Sequence, residues 1–155
     1  MAQSMTMWNP FSNILASLQT YGDLTPDLKL RQQVTRKLCQ RPDLTLETWF
    51  ESFYQPQGVS HAVASFAYEH LAQYSGLEVG RLLPDDRLEA DLTWTEICWF
   101  DWDLRLYEDF WQQFGVDISD AFDPTLLSTV EDLVVWLNDA ARGQNLPPSL
   151  DFPNP

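Results

Sequence analysis

The stretch from Trp94 to Phe114 constrains this chain most. It carries four of the seven tryptophans (Trp94, Trp99, Trp102 and Trp111), interleaved with Asp101, Asp103, Glu108 and Asp109. Apolar residues recur in it at three- and four-residue intervals, the spacing that gathers side chains on one face of an α-helix. Thr93-Trp94-Thr95-Glu96 has the pattern of a capping box, in which hydroxyl and carboxylate satisfy orphan N–H groups at a helix start. Gly115 is the expected stop. The expectation is one long helix over 94–114.

The same punctuation continues along the chain. Short helices are expected from Pro10 to Gln19, from Pro26 to Gln40 with Thr25 as N-cap, and from Leu46 to Tyr54. A further helix runs from Ser60 to Gly76, with Val63, Phe66, Ala67, His70, Leu71 and Tyr74 as its apolar stripe. A second capping box, Ser128-Thr129-Val130-Glu131, opens a last helix that closes near Arg142 and Gly143. No segment alternates with period two, and no internal repeat is visible. The fold class is therefore all-α. Residues 1–143 form a single helical domain, followed by an extended tail at 144–155 whose last eleven residues hold four prolines.

On a helical wheel, Ile97, Phe100, Leu104, Tyr107, Trp111 and Phe114 fall within an arc of about 100°, which is the expected core face. Trp99, Leu106 and Phe110 widen the apolar sector. Asp103 falls between these groups, which makes it the candidate buried polar residue, in need of a partner. Trp102 projects instead into the polar sector beside Cys98 and Asp109. It is either covered by the N-terminal helices or exposed as an anchor for a partner. Trp102, Asp101, Arg105 and Asp109 form the candidate partner-binding set, with Asp101 and Arg105 spaced for a surface ion pair.

The formal charge is −14 and uneven. Residues 1–41 hold five basic and two acidic groups, +3 net, whereas residues 42–155 hold four basic and 21 acidic, −17 net. Such a balance argues against direct nucleic-acid binding or an anionic membrane surface. Lys29, Arg31, Arg36, Lys37 and Arg41 share the second expected helix, as a solvated basic face or one set against acidic groups. No apolar run approaches the ~18 residues of a membrane span, and no signal peptide is legible. Cys39 and Cys98 are expected as reduced thiols in a cytoplasmic protein.

Catalytic and metal motifs are missing. His61 and His70 stand nine residues apart with no paired-ligand spacing, no glycine-rich phosphate loop occurs, and nothing singles out a carboxylate pair. His70 is expected as a hydrogen-bonded core residue. Acidic surroundings disfavour a Cys98 thiolate. No catalytic residue, metal site or cofactor is expected.

Three further motifs lie in a telling order: Leu83-Pro84-Asp85-Asp86-Arg87-Leu88-Glu89-Ala90-Asp91-Leu92, then Phe114-Gly115-Val116-Asp117-Ile118, then Ser128-Thr129-Val130-Glu131-Asp132-Leu133-Val134. In this order and spacing, roughly residues 60–138 resemble the acyl carrier protein family. The resemblance implies a carrier-like helical bundle over about 60–142, with additional N-terminal helices and a recognition surface on the acidic helix that follows the loop. Carriers place an Asp-Ser-Leu after this loop, and its serine accepts 4′-phosphopantetheine. Here Asp91-Leu92 leads into Thr93-Trp94-Thr95-Glu96, and there is no serine between Gly76 and Val116. The interval to Phe114-Gly115 is about four residues longer than in carriers, and counting back from it without gaps puts Phe100 near the serine position.

The expected function is thus non-catalytic recognition of another protein, one with a basic surface, through an acidic and aromatic helix. The alternatives are an atypical carrier or small-molecule-binding protein, and an acidic mimic of nucleic acid.

Overall fold

The computed structural model describes residues 26–143. Among them the fold is all-α: six α-helices, with Arg87 and Thr129 forming an isolated antiparallel bridge and no strand. The helices expected over 10–19 and the tail at 144–155 lie outside the described residues.

Helix α1 (Leu28–Leu38) is capped by Asp27, not Thr25. The Asp27 carboxylate accepts from the Lys29 and Leu30 amides at 3.1 Å each. Helix α2 (Leu46–Trp49) is capped by Thr45 and loosens into a π-helical turn over Phe50–Tyr54, then a 3-10 turn over Gln55–Gln57. Helix α3 (His61–Ser75) follows its sequence closely, from the Ser60 cap to a left-handed Gly76. Its stripe of Val63, Phe66, Ala67, Leu71 and Tyr74 is buried and forms the centre of the core. His70 is half-buried, stacked on Phe66 at 4.3 Å between ring centroids.

The segment from Val79 to Leu92 has little helix but is firmly held. Gly80 lies so close to the α1–α2 loop that a Cβ there would fall 2.1 Å from the Leu44 carbonyl oxygen. The buried Asp86 carboxylate takes both guanidinium nitrogens of Arg41, at 2.7 and 3.0 Å, and accepts from the Leu83 amide at 2.7 Å. Leu88 N–H then donates to Ser128 O at 2.9 Å, which ties the loop to the start of the last helix. That helix, α6 (Val130–Ala141), has its capping box one residue later than expected, on Thr129 and Asp132. The Asp132 carboxylate accepts from both the Ser128 and Thr129 amides, at 3.0 and 3.1 Å, so it outcompetes Glu131 for the role.

The long aromatic helix does not form as one piece. It divides into α4 (Trp94–Ile97) and α5 (Trp102–Phe114). Thr93 is left-handed, at φ +48°, and its side chain makes no cap; its hydroxyl donates to Leu92 O at 2.7 Å. The Thr93/Glu96 box is therefore replaced by Glu89, whose carboxylate accepts from the Thr95 amide at 3.1 Å and from the Thr95 hydroxyl.

The break itself has a physical cause. In a continuous helix the Glu96 and Ile97 carbonyls would accept from the Phe100 and Asp101 amides. Here α1 takes both. Asp27 N–H donates to Glu96 O at 2.8 Å, and the Arg31 guanidinium donates to Ile97 O at 2.6 and 3.2 Å. Cys98 turns extended, at ψ 160°, and Trp99 N–H donates to Tyr74 O at the end of α3, at 3.3 Å. Arg31 reaches this point beneath Gly76, where a Cβ would lie 2.9 Å from its guanidinium carbon.

Candidate functional site

The break at 98–101 changes the phase of α5 and so decides which aromatics it exposes. Trp102, Leu106 and Phe110, spaced i, i+4, i+8, face inward at 6, 0 and 0 % exposure. Trp102 packs edge-on against Trp94 and Phe122, at 5.9 and 6.0 Å between centroids. Phe110 meets Phe66 at 5.5 Å and Phe114 at 4.7 Å.

Phe100, Leu104 and Trp111, expected as core, stand outside at 55, 62 and 56 % exposure. On the wheel of α5, Leu104 and Trp111 lie roughly opposite Leu106, and Phe100 precedes the helix. Trp99, in the break ahead of the helix, is also exposed. Glu108 is exposed about 40° from Leu104 on the wheel, on the side away from Trp111, and Asp101 is half-exposed at the helix start, so acid borders these residues.

The structure redistributes the candidate partner-binding set. Trp102 is a core residue, not an exposed anchor. Asp109 turns inward: its carboxylate accepts from the Tyr74 hydroxyl at 2.5 Å and lies 3.3 Å from His70 Nδ1, a contact too misaligned to count as a hydrogen bond. His70 is therefore not the hydrogen-bonded core histidine expected at that nitrogen. Asp101 stays at the surface. Arg105 is exposed with its guanidinium 5.9 Å from the Tyr74 ring centroid, a cation–π approach that takes the place of the expected pair with Asp101. Asp103 is not buried. It is half-exposed in the first turn of α5 and accepts from the Leu104 amide at 2.9 Å, a favourable place for a carboxylate.

Burial acts on the neighbouring ionisable groups in one direction. It pushes the Tyr74 hydroxyl well above its ordinary range, with the Asp109 carboxylate adding to the shift. It also raises the buried Cys98 thiol, against the pull of Arg31, so this sulfur is held protonated and unreactive.

The basic residues divide as well. Arg31 and Arg41 staple α1 to the rest of the molecule, while Lys29, Arg36 and Lys37 are exposed. Among the described residues no group of three or more His, Cys, Asp or Glu is placed to hold a metal ion, and no helix is long and apolar enough to cross a membrane.

The sequence did contain a signal for the outer stripe, since its members were grouped on one arc. What it lacked was the sign of that arc. No family model, curated protein or solved structure matches the chain.

Proposed function

We propose that this chain is a non-catalytic recognition protein that binds a partner protein through the outer face of α5. The observation that carries this reading is the exposure of Leu104 and Trp111 on a helix whose opposite face is already fully packed, with Phe100 exposed just ahead of it. A helix that has satisfied its own core gains nothing within the described fold from two large apolar side chains in water. Tryptophan, in particular, is enriched where partners anchor. Asp101 and Glu108 at its border, and the overall charge of −14, suit a partner with a basic rim around an apolar groove.

The likeness to acyl carrier proteins agrees with this reading. Phe100, near the position of the carrier serine by ungapped counting, is exposed just ahead of α5, where a carrier presents its attachment site. We read a carrier-like scaffold used for contact in place of acyl transfer.

The test is affinity capture from the native host with the parent chain and with Leu104→Asp and Trp111→Asp variants. The expected result is a co-purifying protein that both variants lose while retaining the parent's thermal transition. Undiminished capture by both variants would place the docking face elsewhere.

A further inference from the structure

We propose that the cleft between the 3-10 turn Pro124–Leu126 and the outer face of α6 is a second binding site, which takes an arginine-bearing segment of a partner protein. It uses none of the residues of the α5 face and does not depend on that reading.

The outer face of α6 alternates charge with apolar surface. Glu131 and Val135 stand four apart, as do Asp132 and Trp136, so each carboxylate lies about 6 Å along the helix from an apolar side chain on nearly the same face. Across from them Leu126 is 78 % exposed and Leu127 half-buried. These residues line a cleft of about 360 Å³ that is open to solvent, a shape that admits a side chain reaching in from another surface. The Trp136 indole is held there by Phe122, at 5.1 Å between ring centroids, and Phe122 in turn packs on Trp102 and Tyr107. A ring fixed by the core loses little freedom when a ligand covers it.

The occupant follows from charge. Glu131, Asp132 and Asp139 border the cleft, and none of the chain's nine basic side chains lines it. Arg142, the nearest in sequence, donates to Gly58 O at 2.9 Å, while Lys29, Arg36 and Lys37 are exposed on α1. Residues 1–25 and 144–155 contain no lysine or arginine. A cation that complements this cleft therefore comes from another molecule. A bare metal ion gains nothing from Leu126, Val135 and Trp136. An arginine uses all of the lining: its apolar stem lies along the aliphatic groups, its planar guanidinium meets the indole, and its N–H groups turn to the carboxylates. Lysine supplies the charge without the planar contact.

The test is an amide and indole NMR titration of the isotope-labelled full-length chain with a capped peptide of alternating leucine and arginine. The Trp136 indole N–H and the Leu126 and Val135 amides should shift. Citrulline in place of each arginine keeps the shape and removes the charge, and should weaken binding about tenfold or more. Glu131→Gln should weaken it roughly two- to fivefold. Leu126→Ser, at a side chain already in solvent, should weaken it about threefold or more while the rest of the spectrum reports an intact fold. Spectra unchanged up to millimolar peptide overturn the proposal. So does equal affinity for the citrulline peptide, parent-like binding by both variants, or shifts confined to Leu104 and Trp111, which would put basic segments on α5. Shifts at Leu126 and Trp136 that follow protein concentration without peptide would assign the cleft to a second copy and equally overturn it.

Discussion

The two faces of α5 are built from the same kinds of residue and meet opposite fates. Trp102, Leu106 and Phe110 lie inside; Leu104 and Trp111 lie outside, as does Phe100 just ahead of the helix. Hydrophobicity alone cannot distinguish them, because both sets have helical spacing and similar size. What distinguishes them is a phase set elsewhere, by α1 taking the carbonyls of Glu96 and Ile97. An apolar arc on a wheel therefore shows where a helix can be covered, and only the surrounding bonds say from which side.

The largest effect that could break this comparison is a truncation on each face. Leu106→Ala should cost about 2–5 kcal/mol, the usual range for a leucine removed from a packed core. Leu104→Ala should stay within about 0.5 kcal/mol in the fold itself, as exposed substitutions do. Urea unfolding of the two variants decides the matter, and equal losses would mean that both faces are core.

A smaller effect is expected at the switch. Arg31→Met keeps the apolar stem but strips the Ile97 carbonyl of its donor, a loss of about 1–3 kcal/mol for a buried acceptor left unpaired. The same unfolding experiment measures it. A neutral result would remove Arg31 from the account of the break.

The smallest effect lies at the bond that holds the inner side of α5 to α3. The Tyr74 hydroxyl is raised in the folded state, so folded protein retains this proton at pH values where unfolded chain releases it. Its contribution is intact below the unfolded value of about 10 and is progressively lost above it, since the unfolded chain then binds fewer protons. Tyr74→Phe should therefore show a shallower fall in melting temperature above pH ~10 than the parent. Parallel curves would show that the Tyr74–Asp109 bond does not govern that fall.

Much of the fold is legible because its causes are local. Helix α3 is announced by Ser60, Gly76 and a stripe whose members stand three or four residues apart, and each of those signals acts within a turn or two. The capping box of α6 was misplaced by one residue because Ser128/Glu131 and Thr129/Asp132 both satisfy the pattern; only the Asp132 geometry chooses. The break at 98–101 has no local signal at all. Arg31 and Ile97 are 66 positions apart, and nothing in ICWFDWD announces that its carbonyls will be taken. The same distance explains the candidate site: its apolar arc was visible, while the outward turn of Leu104 and the inward turn of Trp102 and Asp109 were not.

Amide hydrogen exchange through this stretch tests the central claim most directly. With their usual acceptors occupied by Asp27 and Arg31, the Phe100 and Asp101 amides should exchange rapidly, whereas Leu106 and Phe110 should be among the slowest. Uninterrupted protection from Ile97 through Phe110 would mean a continuous helix, and with it the loss of the phase shift that turns the aromatic stripe outward.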